Sequence, residues 1–170
     1  MKIAAIAHKL PSRRVENEEL LQIVMQKAAD HLNKPHMLQL SEKVRGYFEQ
    51  TGIRSRYWRS ENEKALTLGL EAAQQALDEA RIRAEDVDLL IYVGVGRGWL
   101  EPAMANLFLA ELGMRRGTGF DLLDACASWV RALDIAGSLI ENGKGKAFCC
   151  ASFEREDRIS ERSVEVRLKS

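Results

Sequence analysis

The run VDLLIYVGV, from Val87 to Val95, decides how this 170-residue chain folds. It is nearly free of polar residues and rich in β-branched side chains, which is typical of a strand covered on both faces of a sheet. Helix and strand patterns alternate on either side of it. From residue 61 onward the predicted order is α-β-α-β-α-β, which favours a parallel or mixed sheet with helices on its faces. The sequence therefore predicts an α/β fold.

Capping and breaking residues mark the elements next to this strand. Ser60 and Glu63 form a capping-box pattern, which predicts a helix from there to about Ala80. Pro102 suits the first turn of a helix that ends at Gly113. The remaining predicted elements are strands at 2–7, 119–123 and 146–152, helices at 17–30, 38–48 and 126–141, and a basic loop at 51–59.

The last part of the chain differs in character from the rest. Val164, Val166 and Leu168 alternate with charged or polar residues, so this segment is predicted to be a frayed strand, an unpaired edge or a solvated face. We therefore divide the chain into a half-domain over residues 1–154 and a polar tail over 155–170, the start of an unfinished continuation.

Composition argues against several classes of protein. The chain has 25 Lys and Arg against 25 Asp and Glu, so it lacks the positive excess of a general nucleic-acid binder. No apolar run approaches the roughly 20 residues of a membrane span, and charge interrupts the first residues too soon for a signal peptide. Three cysteines, an odd number without metal-ligand spacing, favour free thiols in the cytoplasm.

The segment DLLDACASW, Asp121 to Trp129, places Cys126 where a predicted strand gives way to a helix. Backbone N–H groups and the positive end of the helix dipole stabilise a thiolate there, and also the oxyanion that forms when a thiolate attacks a thioester. Cys126 is therefore a candidate nucleophile. A buried structural cysteine is the alternative, because free cysteine is among the most buried residue types. The helix that follows is predicted to bury Val130, Leu133, Ala136, Gly137 and Ile140.

Four motifs follow one another in a fixed order along the chain. They are IAAIAHKLPSRRVENEEL (3–20), TGIRSR (51–56), NEKALTLGLEAAQQALDEARI (62–82) and DACASW (124–129). In this order they resemble the N-terminal half of the thiolase-fold β-ketoacyl synthase III family, the initiating condensing enzymes of fatty-acid and polyketide synthesis. The resemblance spans nearly all of residues 2–154. It implies half of a thiolase-like fold, with a mixed sheet and helices on both faces.

The resemblance also implies an activity. Cys126 would accept an acyl group from an acyl thioester for Claisen condensation, in fatty-acid, polyketide or related lipid synthesis. A variant within this class transfers the acyl group to a hydroxyl or an amine. The donor would be acyl-CoA or an acyl carrier protein, no cofactor or metal would be needed, and the enzyme would be a cytoplasmic homodimer.

The segment GWLEPAMANLFLAELG, residues 98–113, most resembles the branch that condenses two acyl chains head to head in olefin biosynthesis. In that branch the glutamate of Leu-Glu-Pro reaches into the partner subunit's active site and is thought to act as a base. Glu101 is the matching residue, although one residue fewer separates it from Cys126. Alternatively, Glu101 is an ordinary acid before Pro102 that favours the dipole of the next helix. The following apolar residues are predicted to be core or interface rather than an acyl tunnel: Met104, Leu107, Phe108 and Leu112.

The TGIRSR motif supplies the candidate substrate-binding residues. Arg54 and Arg56 are suited to hold a phosphate of the thioester carrier, since guanidinium groups bind phosphate bidentately. Pairing with acids inside the domain is an equal alternative. The family's fatty-acid branch has a tryptophan and an arginine before the motif for coenzyme A, but Gly46 and Gln50 stand near those places. Trp58, beyond the motif, is the candidate substitute.

The family's mechanism also needs a histidine and an asparagine from the second half of the enzyme. The three histidines here, His8, His31 and His36, all precede Cys126 and are predicted to have surface or capping roles. The resemblance therefore implies a fragment that is inactive alone or limited to acylating its own cysteine. The alternative is a non-catalytic half-domain that dimerises through the sheet edge near 119–123 and binds a partner synthase.

Two further motifs are predicted to be structural. The glycine-rich segment from Gly94 to Gly98 follows a strand but lacks the G-x-G-x-x-G spacing of a nucleotide loop. Cys149 and Cys150 are adjacent in a predicted strand, so their side chains should point to opposite faces and serve in packing.

Overall fold

The computed structural model describes residues 2–95, 101–151 and 163–168, the last of these by their backbone alone. The strands in these ranges are β1 (Lys2–His8), β2 (Arg13–Glu16), β3 (Ser55–Trp58), β4 (Leu89–Gly94), β5 (Thr118–Leu123), β6 (Ala147–Ala151) and β7 (Ser163–Leu168). The helices are α1 (Asn17–Ala28), α2 (Lys34–Thr51), α3 (Ala65–Ala80), α4 (Met104–Glu111) and α5 (Ser128–Glu141).

Five of the strands form one sheet in the order β1-β7-β6-β4-β5. β4 lies between β5 and β6 and runs parallel to both, so that Tyr92 lies opposite Asp121 on one side and Ala151 on the other. β7 runs antiparallel to both of its neighbours, β1 and β6. The sheet is therefore mixed rather than purely parallel.

Helices cover both faces of the sheet around β4. α3 and α4 pack on one face against a cluster that includes Leu90 and Tyr92, and α5 packs on the other face against Ile91 and Val93. All six residues of β4 are buried, and full burial of an aliphatic side chain contributes about 1.5–3 kcal/mol. The α/β fold with a mixed sheet, predicted from the run at residues 87–95, is confirmed.

The adjacent cysteines of β6 confirm the alternation of a strand. Cys149 belongs to the cluster beneath α3 and α4, whereas Cys150 belongs to the cluster beneath α5. Both thiols are buried and neither forms a disulfide. Their packing role on opposite faces is therefore as predicted.

A separate two-stranded ribbon joins β2 and β3, which run antiparallel with Arg13 opposite Trp58. The guanidinium of Arg13 lies over the Trp58 ring, 5.4 Å from its centroid. The sequence predicts a basic loop over residues 51–59, and that prediction is wrong for β3. The strand is only four residues long, and its partner lies far earlier in the chain, so no local pattern marks it.

Two helices begin later than predicted. α3 starts at Ala65, because Glu63 accepts hydrogen bonds from the backbone N–H groups of Ser60 and of Ser12 in a turn before the helix. α4 starts at Met104, so Pro102 precedes the helix instead of occupying its first turn. For α3, one of the two contacts joins the turn to the distant residue Ser12.

The strand β7 differs from the prediction for the end of the chain. Its backbone pairs with β1 on one side and with β6 on the other, for example Val166 opposite Ala5 and Cys149. Residues 163–168 are therefore part of the five-stranded sheet and not an unpaired edge. The division of the chain after residue 154 stays a prediction.

Candidate active site

Cys126 lies in a short 3₁₀ turn, Ala125–Ala127, that connects β5 to α5. Because β4 and β5 are parallel, this turn lies at their carboxyl edge. Ala125 adopts a positive φ of 45°, a left-handed conformation that costs a residue with a side chain about 1–2 kcal/mol. The Cys126 thiol is exposed. This exposure contradicts the alternative of a buried structural cysteine.

Contacts on both sides of Cys126 fix the turn. The hydroxyl of Ser128 donates a hydrogen bond of 2.6 Å to the carbonyl oxygen of Ala125, and Ser128 itself is fully buried. Asp124, just before the turn, forms an ion pair with Arg131 on the first turns of α5. The nucleophile candidate is thus held between two local interactions that do not involve its own side chain.

The start of α5 is open to an anion. Its N-cap residue, Ala127, provides no side-chain hydrogen bond to the helix. The first N–H groups of a helix have no partner within the helix, and together with the dipole they favour a negative charge nearby. The arrangement can therefore stabilise a thiolate on Cys126 and the oxyanion of a tetrahedral intermediate.

The outer face of α5 carries an exposed apolar residue. Val130 is 70% exposed, so its predicted place in the buried stripe is wrong. The buried face consists of small residues, among them Ala132, Ala136 and Gly137, with Ile140. Val130 therefore lies on the face of α5 that does not pack against the sheet.

Asp121 is a site residue that the sequence analysis did not single out. Its carboxylate accepts hydrogen bonds of 2.9 Å from the backbone N–H groups of Met104 and Ala105. The start of α4 is thereby tied to the strand that leads to Cys126. A charged residue within an apolar strand needs a partner, and this need is the sequence signal that points to Asp121.

Glu101 is exposed and directly precedes Pro102, three residues before α4 begins at Met104. No contact within the described ranges joins Glu101 to Cys126. Most of the glycine-rich segment that precedes it, residues 96–98, lies outside the described residues. The role of Glu101 stays a prediction.

The two arginines of TGIRSR have different surroundings. Arg54 is exposed, and in the described part of the chain its guanidinium has no ion-pair partner. Arg56 is only 9% exposed. It donates a hydrogen bond of 2.6 Å to the side chain of Asn17, and it lies 5.3 Å from the centroid of the Phe48 ring.

Burial affects the pKa of the Arg56 guanidinium. Desolvation lowers its pKa below the ordinary value, and the carboxylate of Glu16 partly opposes this shift. The Nη1 atom of Arg56 and the indole nitrogen of Trp58 are both buried without a hydrogen-bond partner among the described residues. Arg56 and Trp58 lie two residues apart on β3, so their side chains share one face of the ribbon.

The other titratable candidates lie away from a reactive setting. Burial, with a smaller contribution from Cys150, raises the pKa of the Cys149 thiol well above its ordinary value, so it stays protonated. His8, His31 and His36 are all exposed.

Among the described helices, none combines the length and the apolar character that a membrane crossing requires. No three potential metal ligands cluster within the described residues.

A cleft of about 730 Å³ lies elsewhere on the molecule. Asp88, before β4, and Lys146, before β6, line it together with Arg116. It therefore lies at the amino edge of the parallel strands, whereas Cys126 follows their carboxyl edge. The cleft is not part of the Cys126 site.

Sequence comparison finds relatives over most of the chain. Residues of this chain are 31% identical over 157 positions to β-ketoacyl-[acyl-carrier-protein] synthase III of Dinoroseobacter shibae, and 33% identical over 157 positions to that of Granulibacter bethesdensis. Each match covers 92% of this chain and 44% of the relative. The chain thus spans less than half the length of these curated relatives. No family model matches it.

Comparison with solved structures gives the same family. The 3-oxoacyl-[acyl-carrier-protein] synthase III of Aquifex aeolicus superposes with a TM-score of 0.76 at 26% identity, over 99% of this chain and 54% of that one. OleA of Xanthomonas campestris superposes with a TM-score of 0.72 at 26% identity, over 88% of this chain and 42% of that one. Assignment to the olefin branch stays a prediction. The chain is a thiolase-fold homologue of β-ketoacyl-[acyl-carrier-protein] synthase III and corresponds to the N-terminal half of those proteins.

Proposed function

We propose that this chain carries the acyl-accepting site of a β-ketoacyl synthase III type acyltransferase. The Cys126 thiolate attacks the carbonyl carbon of an acyl thioester, and a new carbon–sulfur bond forms on Cys126. The bond between that carbon and the sulfur of the carrier breaks. The carrier leaves as a thiolate and takes up the proton that Cys126 has lost, so that an acylated chain and a free carrier thiol result.

The observation that carries this proposal is the setting of Cys126. It is the exposed thiol of the chain, and it lies at the start of a helix whose N-cap offers no side-chain acceptor. A hydrogen-bond donor aimed at a developing oxyanion typically lowers the activation free energy by about 2.7–4 kcal/mol. The two other thiols are buried in the sheet.

The remaining roles belong to the same proposal. The segment that carries Arg54, Arg56 and Trp58 would form the binding site for the carrier of an acyl-CoA or acyl carrier protein donor, and Glu101 would act as a base at the partner's site in a homodimer. Claisen condensation, in fatty-acid, polyketide or related lipid synthesis, would need a histidine and an asparagine that the sequence after Cys126 does not supply in a matching motif. The protein would work in the cytoplasm, without a metal or cofactor.

Intact mass spectrometry of the full chain tests the acylation step. After incubation with a panel of acyl-CoA thioesters, we expect one acyl adduct per chain, which Cys126→Ala abolishes. Cys149→Ala is the matched control, because it also removes a thiol but should leave the adduct unchanged. A folded chain that gains no adduct from any thioester would contradict the proposal.

One observation favours a second role if acylation fails. Among the described strands β5 is at the edge of the sheet, Leu123 at its end is 41% exposed, and Val130 on α5 is 70% exposed. Large exposed apolar surface marks a site of protein association. A folded chain without acylating activity would then be a non-catalytic partner of a synthase.

A further inference from the structure

Asn17 makes three separate hydrogen bonds to the TGIRSR segment. Its backbone N–H donates to the carbonyl oxygen of Arg54 over 3.2 Å, and its side-chain amide nitrogen donates to the carbonyl oxygen of Ile53 over 2.7 Å. Its side-chain oxygen accepts from Nη2 of Arg56 over 2.6 Å. One residue therefore contacts three of the four residues from 53 to 56.

The position of Asn17 in the chain explains why its backbone N–H is free to bind another segment. It is the first residue of α1, and the first N–H groups of a helix have no partner inside the helix. Arg54 supplies that partner from a distant segment. The side chain needs both a donor and an acceptor, and an amide has both, whereas a carboxylate cannot donate.

The consequence is that the two arginines of the motif are divided. Arg56 is drawn inward by Asn17 and by the ring of Phe48 and is almost fully buried. The backbone of Arg54 is fixed by Asn17, while its guanidinium is exposed. Of the two arginines in the motif, only Arg54 is thus exposed to solvent, and its backbone is held in place by Asn17.

We propose that Asn17 is a positioning residue that holds Arg54 outward to contact a phosphate group of the thioester carrier, while Arg56 serves as a structural anchor. This inference rests on the proposed function, since it names a residue that prepares the same site for its substrate. The ligand group is a phosphate, which coenzyme A carries both on its phosphopantetheine arm and on its adenosine.

Three octanoyl thioesters of decreasing charge test the proposal on the full chain: those of coenzyme A, of 4′-phosphopantetheine and of pantetheine, the last without phosphate. The readout is the rate of Cys126 acylation by each phosphorylated thioester divided by the rate with octanoyl-pantetheine. Both rates scale with the amount of folded chain, so the ratio is insensitive to a variant that is partly unfolded.

We expect Arg54→Ala to lower this ratio about tenfold, as for the loss of one charge-assisted hydrogen bond. Asn17→Ala should lower it in the same direction, and the double variant should be little worse than Arg54→Ala, because both act through one guanidinium. A loss with both phosphorylated thioesters indicates the phosphopantetheine phosphate, and a loss with coenzyme A alone indicates the adenosine phosphates. Arg116→Ala, an exposed arginine before β5, is the control of equal charge and should leave the ratio unchanged.

The opposite outcomes are distinct. An Asn17→Ala ratio equal to that of the unmodified chain, with a lowered Arg54→Ala ratio, would make Asn17 merely structural and overturn the proposal. An unchanged Arg54→Ala ratio would overturn it as well. Calorimetric binding of coenzyme A itself needs no acylation, so binding that weakens in both variants of a chain that never becomes acylated would reject the proposed activity but support the positioning role.

Discussion

The carboxylate of Asp121 on β5 accepts a hydrogen bond from the backbone N–H of Met104, the first residue of α4, and another from that of Ala105. The nitrogen-to-oxygen distance is 2.9 Å in both. An acid on a strand thus serves as the cap of a helix that precedes it in the chain. The helix has no side-chain cap from its own N-cap residue, Ala103. Asp121 therefore links the segment that bears Glu101 to the strand that leads to Cys126.

Asp121→Ala should lower the free energy of unfolding by about 2 kcal/mol, because two N–H groups at the helix start lose a charged acceptor. Urea unfolding followed by circular dichroism measures the change. Asp134→Ala removes an exposed acid from α5 and is the control, with an expected change within about 0.5 kcal/mol. Equal stabilities of the two variants would show that the Asp121 contacts contribute nothing.

The three thiols should differ in reactivity. Iodoacetamide at neutral pH should modify Cys126 in the folded chain and leave Cys149 and Cys150 unmodified, because only the first is exposed. Peptide mass mapping after a short reaction identifies the modified residue. Modification of all three cysteines at equal rates in a folded sample would contradict the burial of β6.

The buried thiol of Cys149 should make folding stability depend on pH in alkali. Burial raises its pKa from an ordinary value near 9.0, so the folded chain keeps a proton that the unfolded chain releases. Stability from this group is therefore complete below about pH 9 and is lost as the pH rises further. Unfolding measured between pH 8 and pH 10 should show a decline that is smaller in Cys149→Ala than in the unmodified chain. An equal decline in both would exclude Cys149 as its source.

Glu63 should make stability depend on pH in acid. The backbone N–H of Ser60 lowers the pKa of Glu63, burial opposes this, and the N–H of Ser12 lowers it further. Its contribution is thus present above the unfolded value near 4.5 and is lost as the pH falls below it. Glu63→Gln should flatten the acid decline of stability, whereas Glu61→Gln, at an exposed position, should not. Unfolding midpoints from pH 6 down to pH 3 provide the comparison.

Two glycines should respond to alanine in opposite ways. A Cβ at Gly119 would lie 2.9 Å from the Cβ of Ala105 and 3.0 Å from the carbonyl oxygen of Leu90, so Gly119→Ala should destabilise the chain by about 1–3 kcal/mol. A Cβ at Gly46, within α2, meets nothing within 4 Å, so Gly46→Ala should stabilise it by about 0.5–1 kcal/mol. Thermal unfolding of both variants decides the matter. Stabilisation by Gly119→Ala would contradict the close contact of β5 and α4.

The sequence predicted the elements whose signal is local. The run at 87–95 is an apolar strand whatever surrounds it, and the alternation of Cys149 and Cys150 follows from strand geometry alone. The place of Cys126 between a strand and an apolar helix was predicted in the same way, but the sequence left open whether its thiol is exposed or buried. Each of these depends on neighbours within one element.

The features that the sequence did not reveal depend on contacts between distant segments. The pairing of β2 with β3 and the three hydrogen bonds of Asn17 connect residues more than a helix length apart. The exposure of Val130 depends on which face of α5 meets the sheet, and its apolar side chain predicted burial instead. The opposite face of α5 carries small residues that let the helix approach the sheet closely. A hydrophobicity pattern gives such small residues little weight and therefore does not identify them as the buried face.

The position of β7 has a consequence for the order in which the molecule is assembled. Among the described strands, β1 pairs with β7 and with no other, and β7 in turn pairs with β6. Because β1 leaves the ribosome before β7, it stays without its strand partner until the chain has been synthesised to Leu168. Such a long-range closure slows folding and leaves a strand edge free for association in the meantime. A nascent chain halted before Ser163 should thus leave β1 accessible to chaperones or to proteases.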